Sequence, residues 1–110
     1  MDITFEDNKL EKCANDRKKA IKKLGQKRAD EYQKRLDDLK AANTLEEVRN
    51  LPGNYHELKA NRKGQWAYNL DHPYRLIFVP HENPIPVNED GQYIWIEIKG
   101  VEIIDIADHH

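Results

Sequence analysis

The chain has 110 residues, the length of one domain with a modest hydrophobic core, and we predict a single domain over residues 1–110. Apolar residues make up 38% and charged residues 35% of it, and the apolar residues fall in periodic runs, which excludes a disordered chain. A single cysteine excludes an internal disulfide, no apolar run approaches the roughly 20 residues needed to cross a bilayer, and no signal peptide is recognisable. We therefore expect a cytoplasmic protein without a membrane partner.

Charge is unevenly distributed along the chain, although the formal net charge is only -2. Residues 9–40 contain 12 Lys and Arg against 6 Asp and Glu, a local net charge of +6. From residue 81 to the end, one lysine stands against 7 acids, a local net charge of -6. The basic half predicts a surface that binds a polyanion, and a solvated helix face is the alternative interpretation.

The chain begins with a candidate strand over residues 2–6, followed by an amphipathic helix. Asn8 with Glu11 three residues later is typical of a helix cap. Apolar residues then recur at three- and four-residue steps as far as Leu24, and Gly25 is expected to end this helix.

A second helix is predicted next, and together the two helices would form a hairpin. Its apolar face consists of Ala29, Tyr32, Leu36 and Leu39, whereas its mostly outward positions are Lys34, Arg35, Asp37 and Asp38. Thr44 and Glu47 have the spacing of a capping box, which predicts a short third helix that ends at residues 51–53.

Downstream, the period of the apolar residues changes from 3.6 to 2, which is typical of strands. Strands are predicted over residues 55–58, 65–70, 74–79 and 94–107, with hairpin tips at residues 60–64 and 71–73 and a proline-rich loop over residues 80–92. Gly100 indicates a bulge or a tight turn. The predicted fold class is α+β, an N-terminal helical hairpin packed on a mostly antiparallel sheet.

Several kinds of active site are excluded or disfavoured by composition and spacing. One cysteine and five scattered histidines lack the spacing of a zinc site, and no glycine-rich nucleotide loop is present, so we predict neither metal nor cofactor. The chain contains no serine, which excludes a serine triad. Cys13 lies on the predicted core face of the first helix, where packing is the favoured role.

The remaining chemistry is a set of imidazoles and cations. RNA can be cut without metal because its 2'-hydroxyl attacks the adjacent phosphate, given a base, an acid and positive donors for the phosphorane. Histidine suits both proton roles, and arginine binds phosphate through two parallel hydrogen bonds. These residue types are supplied by His56, Lys59, Arg62, Lys63, Arg75, His109 and His110. A structural histidine beside a hairpin remains the other interpretation.

The stretch LPGNYHELKANRKGQWAYNLDHPYRLIF, a proline-rich loop and the closing VEIIDIADHH resemble the RelE/HigB family, the toxins of bacterial type II toxin–antitoxin systems. The resemblance spans nearly the whole chain. It implies a compact microbial-ribonuclease-like α+β fold, RelE-like, that cleaves mRNA in the ribosomal A site without metal and inhibits translation. It also implies two partners, the ribosome with its ribosomal RNA and mRNA, and a cognate helix-turn-helix antitoxin from the same operon.

The same resemblance implies roles for individual residues. His56 lies where the family has a functional histidine after its Pro-Gly turn, followed by the family's lysine at Lys59. Arg75 matches the family's arginine after an aromatic residue. Asp108 and His110 match the first and last residues of its closing Asp-Tyr-His, with His109 in place of the tyrosine.

From this correspondence we predict His56 and His110 as the proton-transfer pair and Lys59 and Arg75 as the groups that stabilise the phosphorane. Asp108 completes the predicted catalytic set. The predicted RNA contacts are Arg62, Lys63 and His109.

Two other functions fit the same resemblance. A ParE-like toxin would keep the fold and poison DNA gyrase, because fold alone does not determine function. A non-catalytic toxin-like module would bind an antitoxin without cutting RNA.

Overall fold

The structure, a computed structural model of the chain, describes residues 1–51, 55–58 and 64–108. Within these residues, helices cover one face of a five-stranded sheet, as the predicted α+β class requires. No helix in this part of the chain is long and apolar enough to cross a bilayer. The predicted tip at residues 60–64 and the end of the predicted third helix at residues 52–53 lie largely outside the described residues.

The single first helix that we predicted is wrong, because Asp16 divides it into α1 (Asn8–Asn15) and α2 (Arg17–Leu24). Asp16 adopts an extended backbone, and its carboxylate accepts hydrogen bonds from the backbone N–H groups of Lys18 and Lys19. A short acidic side chain competes in this way with the helical hydrogen bonds and begins a new helix. Gly25 ends α2 as predicted, with a φ of 85° that favours glycine.

The N-terminal cap of α1 also differs from the prediction by one residue. Asp7, not Asn8, is the cap, and its carboxylate accepts a hydrogen bond from the backbone N–H of Lys9. Both residue types are good caps, and adjacent candidates cannot be separated by pattern alone.

The long helix α3 (Gln26–Ala41) carries the predicted apolar face into the core. Tyr32, Leu36 and Leu39 are at most 1% exposed and join the same cluster as Leu76 and Phe78 of the sheet. Each buried side chain of this size contributes about 1.5–3 kcal/mol of transfer free energy. This packing holds α3 against the sheet.

The short helix α4 (Leu45–Val48) forms without the predicted capping box. Thr44 makes no side-chain cap bond, and the Glu47 carboxylate accepts instead from the backbone N–H of Asn43. Leu45 and Val48 are fully buried, so tertiary packing stabilises this helix in place of the reciprocal cap.

The sheet has the strand order β1-β5-β4-β3-β2. Its strands are β1 (Asp2–Phe5), β2 (His56–Glu57), β3 (Trp66–Asn69), β4 (Tyr74–Pro80) and β5 (Gly100–Asp108). β1 runs parallel to β5, and the other three pairs are antiparallel. The mostly antiparallel sheet is therefore confirmed.

The predicted strand over residues 94–107 is wrong in its first half. A 3-10 helix spans Trp95–Glu97, and the strand begins only at Gly100. The backbone carbonyl of Ile98 accepts a hydrogen bond from the N–H of Leu45 in α4, and Ile98 is fully buried. This segment thus packs against α4 and does not pair within the sheet.

Gly100 opens β5 and is not itself a bulge. A Cβ at this position would lie 3.2 Å from the Cβ of His81 and 3.3 Å from the backbone oxygen of Asp2. The register shift of the sheet falls between β4 and β5, where Ile77 faces Asp105 and Phe78 faces Ile103. Ile104 is consequently the extra residue of a β-bulge.

Candidate active site

The sheet has a second face, opposite the helices, and strand alternation places Arg75 there. Leu76 and Phe78 of β4 are fully buried in the core beneath α3. Successive side chains of a strand point to opposite faces, so Arg75 and Ile77 lie on the other side. Ala67 is the Cα partner of Ile77, and both are buried outside the main core cluster. They form a small apolar floor on this second face.

Above this floor, His56 and Arg75 meet across β3. His56 pairs with Ala67 between β2 and β3, whereas Arg75 pairs with Asn69 between β3 and β4. Both side chains therefore lie on the second face. Nη1 of Arg75 is 2.8 Å from Nε2 of His56, and both residues are partly buried. The structure thus brings together two of the predicted catalytic residues.

The hydrogen bond between Arg75 and His56 is possible in only one protonation form of the His56 imidazole. A guanidinium has only donors, so Nε2 of His56 accepts the hydrogen bond and carries no proton. The imidazole is then neutral, with its lone pair directed at Arg75. A neutral imidazole is the form that accepts a proton in catalysis, and a guanidinium is the side chain best shaped to bind a phosphate.

Asp108 lies on a different face from this pair. The register between β4 and β5 pairs Asp108 with Tyr74 and Ala107 with Arg75. Tyr74 belongs to the helix side, since the guanidinium of Arg28 in α3 lies 3.4 Å from its ring centroid. Strand alternation therefore separates Asp108 from His56 and Arg75.

The other predicted site residues lie outside the described residues, and their roles remain predictions. They are Lys59, Arg62, Lys63, His109 and His110. Among residues 1–51, 55–58 and 64–108, no three histidine, cysteine, aspartate or glutamate side chains are grouped so as to hold a metal ion.

Arg35 is a supporting residue that the sequence pattern misplaced on the outside of its helix. It is 9% exposed, and its Nε donates a 2.9 Å hydrogen bond to the backbone oxygen of Asn69, the Cα partner of Arg75. Its guanidinium also pairs with Asp38 at 3.3 Å and lies over the ring of Tyr68. The signal was present in the sequence, because residue 35 falls within the same helical stripe as the predicted apolar face.

Tyr68 completes this internal polar group. Its hydroxyl donates a 3.3 Å hydrogen bond to the carboxylate of Asp38. Burial, followed by the nearby Asp38 carboxylate, raises the pKa of Tyr68 to about 12. The phenol therefore stays neutral at physiological pH and helps α3 to hold β3 from beneath the site.

A second arginine fixes the turn that leads into β4. Nε and Nη2 of Arg28 each lie 3.2 Å from one carboxylate oxygen of Asp71, which is the two-pronged geometry that a guanidinium favours. The same side chain stacks on Tyr74, the residue before Arg75. Arg28 thus ties α3 to the start of the strand that carries Arg75.

A basic groove of about 650 Å³ lies on the helical half of the molecule. We define the lysine groove by Lys9, Lys12, Lys19, Lys22 and Lys23, with Cys13 also in its lining. The helix break at Asp16 gathers lysines of α1 and α2 around one depression. Positive charge concentrated in this way attracts a polyanion.

Comparisons with known proteins agree with this architecture. The family model described as "RelE-like toxin of type II toxin-antitoxin system HigB" matches residues 3–90. The chain is similar in structure to a YoeB/ParE toxin from Agrobacterium tumefaciens, with a TM-score of 0.59 at 10% identity over 100% of both chains. It is also similar to a YoeB-YefM complex from Staphylococcus aureus, with a TM-score of 0.56 at 17% identity, covering 100% of this chain and 98% of that one. A search of curated proteins gives no match. At these identities, the two solved structures support the predicted RelE-like fold and nothing finer.

Proposed function

Because this chain belongs to the HigB-like toxins, the RelE-like toxins of type II toxin–antitoxin systems, we propose that it is an endoribonuclease that cuts mRNA on the ribosome. The family that the sequence resembles is thereby confirmed. The observation that carries the proposal is the contact between His56 and Arg75 on the sheet face opposite the helices. There, the imidazole that we propose as the proton acceptor is adjacent to the guanidinium that we propose to bind the phosphate.

The proposed reaction begins with the 2'-hydroxyl of a ribose in the A site. Nε2 of His56 takes the hydroxyl proton once the guanidinium of Arg75 turns from the imidazole to the phosphate. The 2'-oxygen then bonds to phosphorus, and the bond from phosphorus to the 5'-oxygen breaks. The products are a 2',3'-cyclic phosphate and a 5'-hydroxyl.

The remaining catalytic roles of the proposal come from the family correspondence. His110 would protonate the departing 5'-oxygen, and Lys59 would share the charge of the phosphorane with Arg75. A positioned proton donor or acceptor is worth about 10²–10⁴ in rate. Metal is not required for this route, because the nucleophile belongs to the substrate.

Ribosomal RNA is the proposed partner of the lysine groove. Five lysine residues line one depression, on the half of the chain that carries the local positive charge. Contacts of lysine with phosphate release counterions, so binding should weaken steeply as salt rises. The groove would hold the toxin on the ribosome while the second sheet face meets mRNA.

The proposed protein partner is a cognate helix-turn-helix antitoxin. Membership of a toxin–antitoxin family supports an antitoxin, and one of the similar structures is described as a YoeB-YefM complex. The helix-turn-helix class comes only from the sequence resemblance. A small neighbouring reading frame whose product rescues growth would identify this partner.

A ParE-like action on DNA gyrase is the second candidate, since one similar structure is described as a YoeB/ParE toxin. The two actions separate in time after induction. The endoribonuclease stops protein synthesis first, and a gyrase poison changes plasmid supercoiling first. Incorporation of labelled methionine into protein and plasmid supercoiling, both measured in samples from the same culture, distinguish them.

Growth arrest tests the proposed site. Induction of the wild-type protein should stop growth, and His56→Ala should relieve the arrest while circular dichroism shows a folded protein. His81→Ala is the matched control, because this exposed histidine lies away from the pair and bonds Thr4. Arrest by His56→Ala as strong as that by wild type would show that the site is misassigned.

A further inference from the structure

A second concave site lies on the other side of the edge strand β2. We define the aromatic cleft by Glu57, Gly64, Gln92, Tyr93 and Trp95, which line about 590 Å³ together with Gly91. Glu57 directly follows His56 in β2, so strand alternation directs it away from the contact between His56 and Arg75. The proposed RNA chemistry therefore leaves this cleft unused.

The aromatic walls of the cleft are held in place by neighbouring rings. Trp95 packs edge-on against Trp66 at 4.5 Å and against Tyr93 at 5.7 Å between centroids. Tyr55 stacks in parallel on Trp66 at 5.2 Å and extends the cluster inward. A preformed aromatic wall binds a ligand without first having to be ordered.

The chemistry of the cleft favours a cation. Its lining among the described residues has one charged side chain, the exposed carboxylate of Glu57. The guanidinium of Arg49 lies 4.7 Å from the ring centroid of Trp95 and covers one face of this ring, so an incoming cation would meet Tyr93 and the remaining surface of Trp95. Aromatic rings beside a carboxylate are a favourable environment for an arginine or lysine side chain.

The surroundings of the cleft favour a protein over a nucleic acid. Glu89 and Asp90 precede Gly91, and Glu97 is the last residue of the 3-10 helix that begins at Trp95. Among the described residues, these three carboxylates next to the lining outweigh the guanidinium of Arg49 and disfavour a phosphate backbone. Val87 and Ile96 are the exposed large apolar side chains of the described residues, at 48% and 66%. Val87 forms a β-bridge with Tyr93, and Ile96 follows Trp95, so both flank the cleft.

We propose that the aromatic cleft binds an arginine or lysine side chain of a partner protein, within a segment whose apolar neighbours cover Val87 and Ile96. The cation would sit against Tyr93 and Trp95 and pair with the carboxylate of Glu57. The identification of this partner as the antitoxin rests on the proposed function. The recognition chemistry itself does not depend on RNA cleavage.

The test uses a synthetic peptide of eight residues with a central arginine between leucine and isoleucine. A matched peptide carries citrulline, the neutral analogue of arginine. A five-nucleotide single-stranded RNA is the third probe and tests binding of a nucleic acid at the same cleft. The chain has two tryptophans, so the indole N–H signal of Trp95 in NMR spectra reports binding at the cleft. The full-length protein is titrated with each probe at low salt.

The arginine peptide should shift the Trp95 signal, and citrulline should weaken binding about tenfold, since a cation over a ring and a charged hydrogen bond are both lost. Glu57→Gln should weaken binding of the arginine peptide by a similar factor. Glu89→Gln is the matched control, because it removes an equal charge beside the cleft and should change affinity by less than about threefold.

Equal binding of both peptides, or a shift produced by the RNA in place of the arginine peptide, would overturn the proposal. So would an unchanged affinity in Glu57→Gln. These outcomes are independent of the proposed nuclease activity. If the protein binds the arginine peptide but leaves growth and mRNA intact, the proposed function is refuted and the proposed binding of a cationic side chain in the cleft is supported.

Discussion

Replacement of Arg28 by lysine tests how α3 is tied to the strand that carries Arg75. The change keeps the positive charge and removes the planar fork. Arg28 and Asp71 are only 23% and 13% exposed at their side chains, so water screens their pair weakly. Lysine can make one hydrogen bond to Asp71 where arginine makes two. It also lacks the planar guanidinium that stacks on the ring of Tyr74.

The expected loss of stability follows from these contacts. A lost hydrogen bond to a charged group costs about 1.5–3 kcal/mol, and the stack over Tyr74 adds about 0.5–1 kcal/mol. We therefore expect Arg28→Lys to lower the free energy of unfolding by about 2–4 kcal/mol. For a domain of this size, that corresponds to a fall in Tm of roughly 10–15 °C.

Urea unfolding followed by tryptophan fluorescence measures the effect, with thermal unfolding by circular dichroism as a second probe. The midpoint should fall while the m-value is unchanged. Arg17→Lys is the matched control, because the pair of Arg17 with Asp30 is 57% and 49% exposed and is screened by water, so this change should lower the urea midpoint far less. Equal losses in the two variants would refute the reasoning that burial and the two-pronged geometry set the strength of the Arg28 pair.

Three further predictions concern other parts of the molecule. Burial raises the pKa of the Cys13 thiol, which reduces its thiolate at neutral pH, so a thiol reagent should modify it at least about tenfold more slowly in the folded protein than in urea. Gly100→Ala should cost about 1–3 kcal/mol in urea unfolding, because its Cβ would press on His81 and the β1 backbone, and a loss below 0.5 kcal/mol, of the order of a neutral surface change, would contradict this. Joint replacement of Lys12 and Lys22 by glutamine should make the slope of log K for ribosome binding against log salt concentration shallower by about 1.4, and an unchanged slope would place the contact elsewhere.

The elements best predicted from the sequence are those whose apolar residues define one buried face. Leu36 and Leu39 recur at helical spacing over several turns, and tertiary structure keeps that stripe in the core. The break at Asp16 was not predictable from the same pattern, because the apolar repeat continues through it. An aspartate there is compatible with an exposed helical position and with a new cap.

The segment before β5 shows why alternation can mislead. Ile94, Ile96 and Ile98 alternate like a strand, yet Ile96 is 66% exposed and Ile98 is fully buried beneath α4. The short helix Leu45–Val48 provides that packing from more than 40 residues away, and no local pattern records it. Contacts of this range override strand propensity.

The residue types of the candidate site could be predicted, but their arrangement could not. His56 and Arg75 meet because β2 pairs with the far side of β3, which only the sheet topology determines. Asp108 was expected beside them. The extra residue at Ile104 reverses the alternation of side chains in the rest of β5. Asp108 therefore lies on the same face of the sheet as Tyr74, and Ala107 lies on the face of Arg75.

The chemistry of the cut RNA ends tests the central claim most directly. Ribosomes translating a defined mRNA are incubated with the purified protein, and the new ends are identified by their reactivity with kinase and phosphatase. Attack by the 2'-hydroxyl, with His56 as base, predicts a 5'-hydroxyl on one fragment, a 2',3'-cyclic phosphate on the other, and at least a hundredfold slower cutting by His56→Ala. Intact mRNA, or fragments ending in 5'-phosphate and 3'-hydroxyl, would contradict it.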